Sequence, residues 1–258
     1  MWIRVADRRV FAVVMAALIA VCWLALSIWS LSPYAPFLRH EVLEGVRLAI
    51  SPEYFILLFV FVVGWTLMTV AMMLPTSLPL IMLFYRLTRS RRNRLQLVAL
   101  LIVGYLTIWI LFGFLAHLGD LLVHKIAHQV AWLEANTWAI GAASLAVAGF
   151  YQFAPLKYAC LDKCRSPLSF VMEHWRGRDE QMHAFRLGVH HGLFCLGCCW
   201  SLMLLMFAVG SGNIAWMLLL GAVMAVEKNM PWGRQVSKPL GIVLLSFSVI
   251  VAITGAQV

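Results

Sequence analysis

The stretch HHGLFCLGCCW, His190 to Trp200, sets two imidazoles and three thiols within eleven residues. It continues directly into SLMLLMFAVG, an apolar run of the kind found inside membrane helices. Thiolate and thioether sulfur select soft ions, Cu(I) or Zn(II), and methionine favours Cu(I). With about 100° of turn per residue and His191 as origin, Cys195, Cys198, Cys199 and Met206 fall within an arc of about 100°. Met203 lies at its margin. The stripe is about 22 Å long at the helical rise, so it exceeds one coordination shell. It reads as a primary set, His191, Cys195, Cys198 and Cys199, with Met203 and Met206 lining a path beyond. His190 points about 100° away from His191, so at most one of the pair faces a site on this helix.

Two more thiols, Cys160 and Cys164 in YACLDKC, stand one turn apart and match the predicted depth of Cys195. They are placed to complete the set or receive from it. Cysteine and methionine are also ordinary core residues, and packing alone is the plainer reading of any single one. On the preceding apolar segment, Met68 and Met72 lie one turn apart and are expected to face the thiol helix. Pro75 and Pro79 follow them and should kink or break that helix.

The elements that hold these groups are membrane spans. The chain has 258 residues, 63% hydrophobic and 12% charged, with a mean hydropathy of +0.88. A soluble domain would carry about a quarter charged residues. Seven spans are expected, near Val10–Leu31, Tyr54–Leu74, Leu95–Leu118, Trp138–Tyr158, Leu187–Gly210, Asn213–Val226 and Leu240–Gly255, the sixth of them short for a bilayer. The fold class is therefore an all-α, polytopic membrane bundle forming a single domain over residues 1–258, in a bacterial inner membrane. The first span is too long for a signal peptide and is read as retained.

With this topology seventeen of the twenty Lys and Arg residues fall on one side. That side should be cytoplasmic, which places the N-terminus inside and the C-terminus outside. The net charge of +9 then faces anionic lipid headgroups rather than nucleic acid. Trp65, Trp109, Trp132, Trp138, Trp175 and Trp232 read as interfacial anchors.

Three further polar features lie outside the thiol stripe. AHLGDLLVHKIAHQVAW places His117, Asp120, His124 and His128 near one face of a short amphipathic helix at the outer surface, a candidate metal or proton site. Glu227 ends the sixth span, with Lys228 beside it as a simple ion-pair partner. Asn213 is placed to cap that span. No nucleotide loop, nucleophilic triad or paired carboxylates are present, so the chain reads as a binding protein rather than an enzyme.

The runs YQFAPLKYACLDKCRSPLSF, HWRG, HHGLFCLGCCWSLM and EKNMPWG, with GWTLMTVAMMLPTSLPL upstream, resemble an uncharacterised bacterial family of predicted metal-binding integral membrane proteins. The likeness covers about Gly64 to Gly233, and Cys-x-x-Cys-Cys-Trp is its most specific part. It implies that the cysteine cluster is a family feature. The chain departs at GRDEQMH, and at GSGN, where a Met usually precedes Asn213.

These features point to copper as the bound ion, with zinc as the next choice. They fit a role in metal handling, transport or delivery, with a metallochaperone or oxidase-assembly partner. Two other readings fit the same residues. One is a quinone-coupled thiol–disulfide oxidoreductase using Cys195 and Cys198 with Cys160 and Cys164. The other is a haem protein using His191 with His190 or a histidine from another span.

Overall fold

A computed structural model describes residues 2–32, 52–175, 179–209 and 213–255, and the side chains at 2–8, 52–54, 124 and 207–209 lie outside it. The described chain is all helical. Its elements are α1 (Trp2–Leu31), α2 (Pro52–Leu87), α3 (Arg94–Gln129), α4 (Ala131–Ala135), α5 (Trp138–Tyr151), α6 (Pro155–Arg165), α7 (Pro167–His174), α8 (Glu180–Val209), α9 (Ile214–Asn229) and α10 (Gly233–Gly255).

Five of these helices, α1, α2, α3, α8 and α10, are long and apolar enough to cross a membrane, and the pair α5–α6 makes a sixth if counted as one bent unit. Two of the expected spans therefore take a different form. The fourth ends at Tyr151, and α6 leaves it at 64°. Pro155 explains the break: it opens α6 at a first-turn position, and the residue before a proline is driven out of the helical region. Ala154 is accordingly extended, with φ −67° and ψ 133°. The sixth is a 16-residue helix, short of the roughly 20 needed to cross a bilayer unaided. Asn213 does cap it, its side chain accepting from the Trp216 amide at 3.2 Å.

The break expected at Pro75 and Pro79 does not occur. α2 runs unbroken through Pro75 and Pro79 for 36 residues. A proline leaves the carbonyl four residues earlier without its helical donor, and here the Trp23 indole donates to Ala71 O at 3.1 Å. A neighbouring helix thus supplies the bond that Pro75 removes, which is how prolines persist in membrane helices.

The densest packing joins α3 to α8, the thiol helix. A methyl group on Gly188 would lie 2.0 Å from Leu101 O, and one on Gly104 would lie 2.2 Å from Phe185 O. Small residues let the two backbones touch, the usual basis of helix pairing in lipid. The Tyr151 hydroxyl donates to Gly197 O and ties α5 to the same helix. Ser248 donates to Ala142 O at 2.7 Å and holds α10 against α5.

α3 continues through the segment expected to form a separate amphipathic helix, reaching Gln129 without a turn. No proline stands between Arg94 and Gln129 to end the helix earlier. Two of the tryptophans read as anchors are core residues instead. Trp109 is fully buried, and Trp65 donates its indole N–H to Trp109 O at 2.8 Å. Trp132 and Trp232 are exposed.

Candidate metal centre

α8 turns Cys195, Cys198 and Cys199 into the core, where all three are fully buried free thiols. One turn of helix lets the Cys195 carbonyl accept from both partners, Cys198 Sγ at 3.0 Å and Cys199 Sγ at 2.9 Å. Across the interface, α2 presents Met73, whose Sδ lies 3.9 Å from Cys199 Sγ. α3 presents Tyr105, whose hydroxyl lies 3.1 Å from Cys195 Sγ. Soft sulfur from two helices, with a phenol beside it, thus converges in a dry interior.

A cation already sits among these atoms. Lys228, from the last turn of α9, places its ammonium 2.9 Å from Cys195 Sγ, 3.7 Å from Cys199 Sγ and 3.8 Å from Met73 Sδ. It also donates to Thr76 Oγ1 at 3.3 Å. Among the described residues, no three His, Cys, Asp or Glu side chains stand in a ready-made coordination shell. Met73 adds a thioether beside Cys199, a donor type outside that set.

The second thiol patch reaches the first. Cys164 on α6 lies close enough to Cys198 for the two thiols to interact electrostatically. Cys160 packs over Gly197, where an added methyl group would lie 2.5 Å from its Sγ. Glycine at 197 is what admits Cys160 against the thiol helix. The two patches that share a predicted depth therefore do meet, although Cys160 and Cys164 stand on the bent-away helix α6 rather than on the end of α5.

His191 stands near this cluster in a different way. Its Nε2 lies 3.0 Å from Ser77 Oγ, and its ring stacks on Tyr105 with centroids 5.5 Å apart. Its buried Nδ1 has no hydrogen-bond partner among the described residues. His190 faces elsewhere, 4.9 Å between ring centroids from His174.

Met68, Met72, Met203 and Met206 are all buried. Met72 faces Gly221 of α9, where an added methyl group would lie 3.6 Å from its Cγ. Met73 shares no face with Met68 and Met72, since a helix turns it about 100° past Met72. Near the C-terminal end of α3, His117 is fully buried against the Phe61 ring, with centroids 4.9 Å apart. His128 is exposed and lies 3.4 Å from Glu134. The helical rise separates His117 from His128 by about 16 Å, Asp120 lies between them, and the His124 side chain is outside the described set.

Glu227 does not pair with its neighbour Lys228. Adjacent helical residues diverge by about 100°, and Glu227 turns instead toward Lys157 on α6, whose ammonium meets both carboxylate oxygens at 2.8 and 2.9 Å. Ser237 on α10 donates to the same carboxylate at 2.6 Å, and Gln152 accepts from Lys157. This buried set joins α6, α9 and α10. It leaves Lys228 free to face the sulfurs.

The residues not foreseen are Met73, Tyr105, Thr76, Ser77, Lys157 and the site role of Lys228. The spacing signal for Met73 was present, one residue beyond Met72. The others belong to contacts between distant helices.

Residues 62–251 match the family model described as PpoB2, copper chaperone. The chain belongs to the PpoB2 copper chaperone family. The matched range takes in Met73, Cys160, Cys164, the three thiols of α8 and Lys228. Membership supports copper handling and makes a metal ion the partner of the chain. No curated protein and no solved structure matches the chain.

Proposed function

We propose that this chain is a multi-pass membrane copper chaperone that carries Cu(I) on sulfur from α2 and α8. Cys195, Cys199 and Met73 form the primary set. Cys198 and Cys164 extend it toward the surface, with His191 and Cys160 beside them. The observation that carries this reading is the 3.9 Å separation of Cys199 Sγ and Met73 Sδ beside Cys195. With metal–sulfur bonds of about 2.3 Å, sulfurs sharing a trigonal ion stand roughly 4 Å apart. Two thiols and a thioether are also the donor set that prefers copper to zinc.

Neighbouring sulfur sites let an ion exchange ligands without being stripped bare, a state the low-dielectric interior strongly disfavours. Cys164 belongs to a segment rich in Lys and Arg, which the positive-inside rule assigns to the cytoplasm. The Arg91–Glu180 pair, at 2.6 Å, fits a shared side for the α2–α3 connection and the start of α8. The route therefore opens inward on Cys164, with Cys198 linking it to the primary set. Met203, Met206, Met68 and Met72 extend it into the bilayer. Seven crossings, an inner-membrane location and delivery to an assembly partner complete the reading.

The test is the metal content of protein purified from cells supplied with both copper and zinc. About one copper per chain, in excess over zinc, is expected from the donor set. Zinc in excess over copper, or no metal, contradicts it.

A further inference from the structure

We infer that Lys228 is a tethered cation that fills the copper position in the empty protein and is displaced when copper loads. This rests on the sulfur-site reading above and adds a release device to it. The ammonium lies within 3.8 Å of all three proposed sulfur ligands and within 3.3 Å of Thr76 Oγ1. Among the described contacts it is the one atom that meets the sulfurs of Cys195, Cys199 and Met73 together. An ion bonded to the same three sulfurs at about 2.3 Å needs the space and lone pairs that the ammonium now takes. The two cations are alternatives.

Nothing else accounts for a lysine at this place. The nearest carboxylate in sequence, Glu227, is committed to Lys157 and Ser237. The Lys228 side chain instead donates to sulfur and one hydroxyl, weak acceptors for an ammonium drawn out of water. A lysine kept only for solubility would snorkel outward. Lys228 could do so, since α9 ends one residue later at Asn229 and the following Met230 and Trp232 are exposed. The four-carbon stem therefore allows two states: ammonium in the sulfur cluster, or ammonium at the aqueous end with copper in its place.

Loading forms metal–sulfur bonds at Cys195, Cys199 and Met73, releases the protons of the two thiols to water as they become thiolates, and breaks the N–H···S contacts of Lys228; delivery takes the protons back. No electron changes hands. Delivery reverses this, the returning ammonium occupying the sulfurs as copper leaves. An empty site stabilised in this way binds copper less tightly and lets it go faster, which suits a carrier rather than a store.

The test is competition for Cu(I) between detergent-purified protein and bathocuproine disulfonate, a coloured Cu(I) chelator, with release followed by the same colour. Lys228→Leu removes the competitor without adding a ligand, and should bind Cu(I) about tenfold tighter and release it more slowly. Thr76→Val keeps the side chain's shape and removes the hydroxyl that anchors the ammonium and donates to Met73 O at 2.7 Å, and should shift affinity the same way by a few-fold. It serves alone if Lys228→Leu does not fold. Wild type that binds Cu(I) while both variants bind equally or more weakly overturns the inference and leaves the sulfur site standing. Weaker binding in Lys228→Leu would make the lysine a counter-charge for loaded thiolates. No Cu(I) on wild type or either variant overturns both the inference and the site.

Discussion

Replacing Cys195 and Cys199 together by serine is expected to abolish copper retention through purification while leaving the fold intact. Each substitution exchanges a soft sulfur for a hydroxyl that Cu(I) binds poorly. Loss of even one thiolate ligand should weaken binding on the order of a hundredfold, about 2.7 kcal/mol. The serines remain compatible with the helix, because a hydroxyl donates to a carbonyl one turn back as the Cys199 thiol now does to Cys195 O at 2.9 Å. Cys22, buried in α1 on another part of the core, is the internal control. Its serine variant should keep full copper. Metal content per chain measures both. A double variant with undiminished copper would place the cargo elsewhere.

The largest effect on stability is expected at Glu227. Its carboxylate is the only partner of opposite charge that Lys157 meets among the described contacts, and both side chains are at most 2% exposed. Glu227→Ala leaves a buried ammonium uncompensated, a change that typically costs 3–5 kcal/mol, a large share of the roughly 5–15 kcal/mol that holds a domain folded. Removing both charges, as Lys157→Met with Glu227→Leu, should recover most of that loss, since paired replacement by apolar groups is often neutral. Thermal unfolding in detergent distinguishes the two variants. Equal melting temperatures for Glu227→Ala and wild type would mean that the pair contributes nothing to the α6–α9–α10 junction.

The all-helical class and the shared face of the α8 thiols were legible in the sequence for physical reasons. Hydropathy is a sum over a window, so long apolar helices announce themselves. Helical periodicity alone put Cys195, Cys198 and Cys199 on one face, and all three are buried together. The meeting of Cys164 with Cys198 was approachable from shared depth. What failed was anything set by a single local event or by a partner far along the chain. Pro155 turns one apparent span into two helices bent by 64°, whereas Pro75 leaves α2 unbroken, with Trp23, 48 residues from its acceptor Ala71, replacing the lost donor. No local rule separates those two prolines.

Lys228 illustrates the same limit from the side of charge. A glutamate and a lysine in succession suggest a pair, yet one residue of helical turn sends Glu227 toward Lys157 and Lys228 toward Cys195. Met73 was missed because Met68 and Met72 make the tidier helical pair. The structure selects Met73 through its contact with Cys199.

The most direct measurement of the central claim is X-ray absorption at the copper edge on the loaded wild-type protein and on Met73→Leu. A first shell of sulfur alone near 2.3 Å, losing one scatterer in Met73→Leu, is the expected result. A shell dominated by nitrogen or oxygen, unchanged by that substitution, would contradict it.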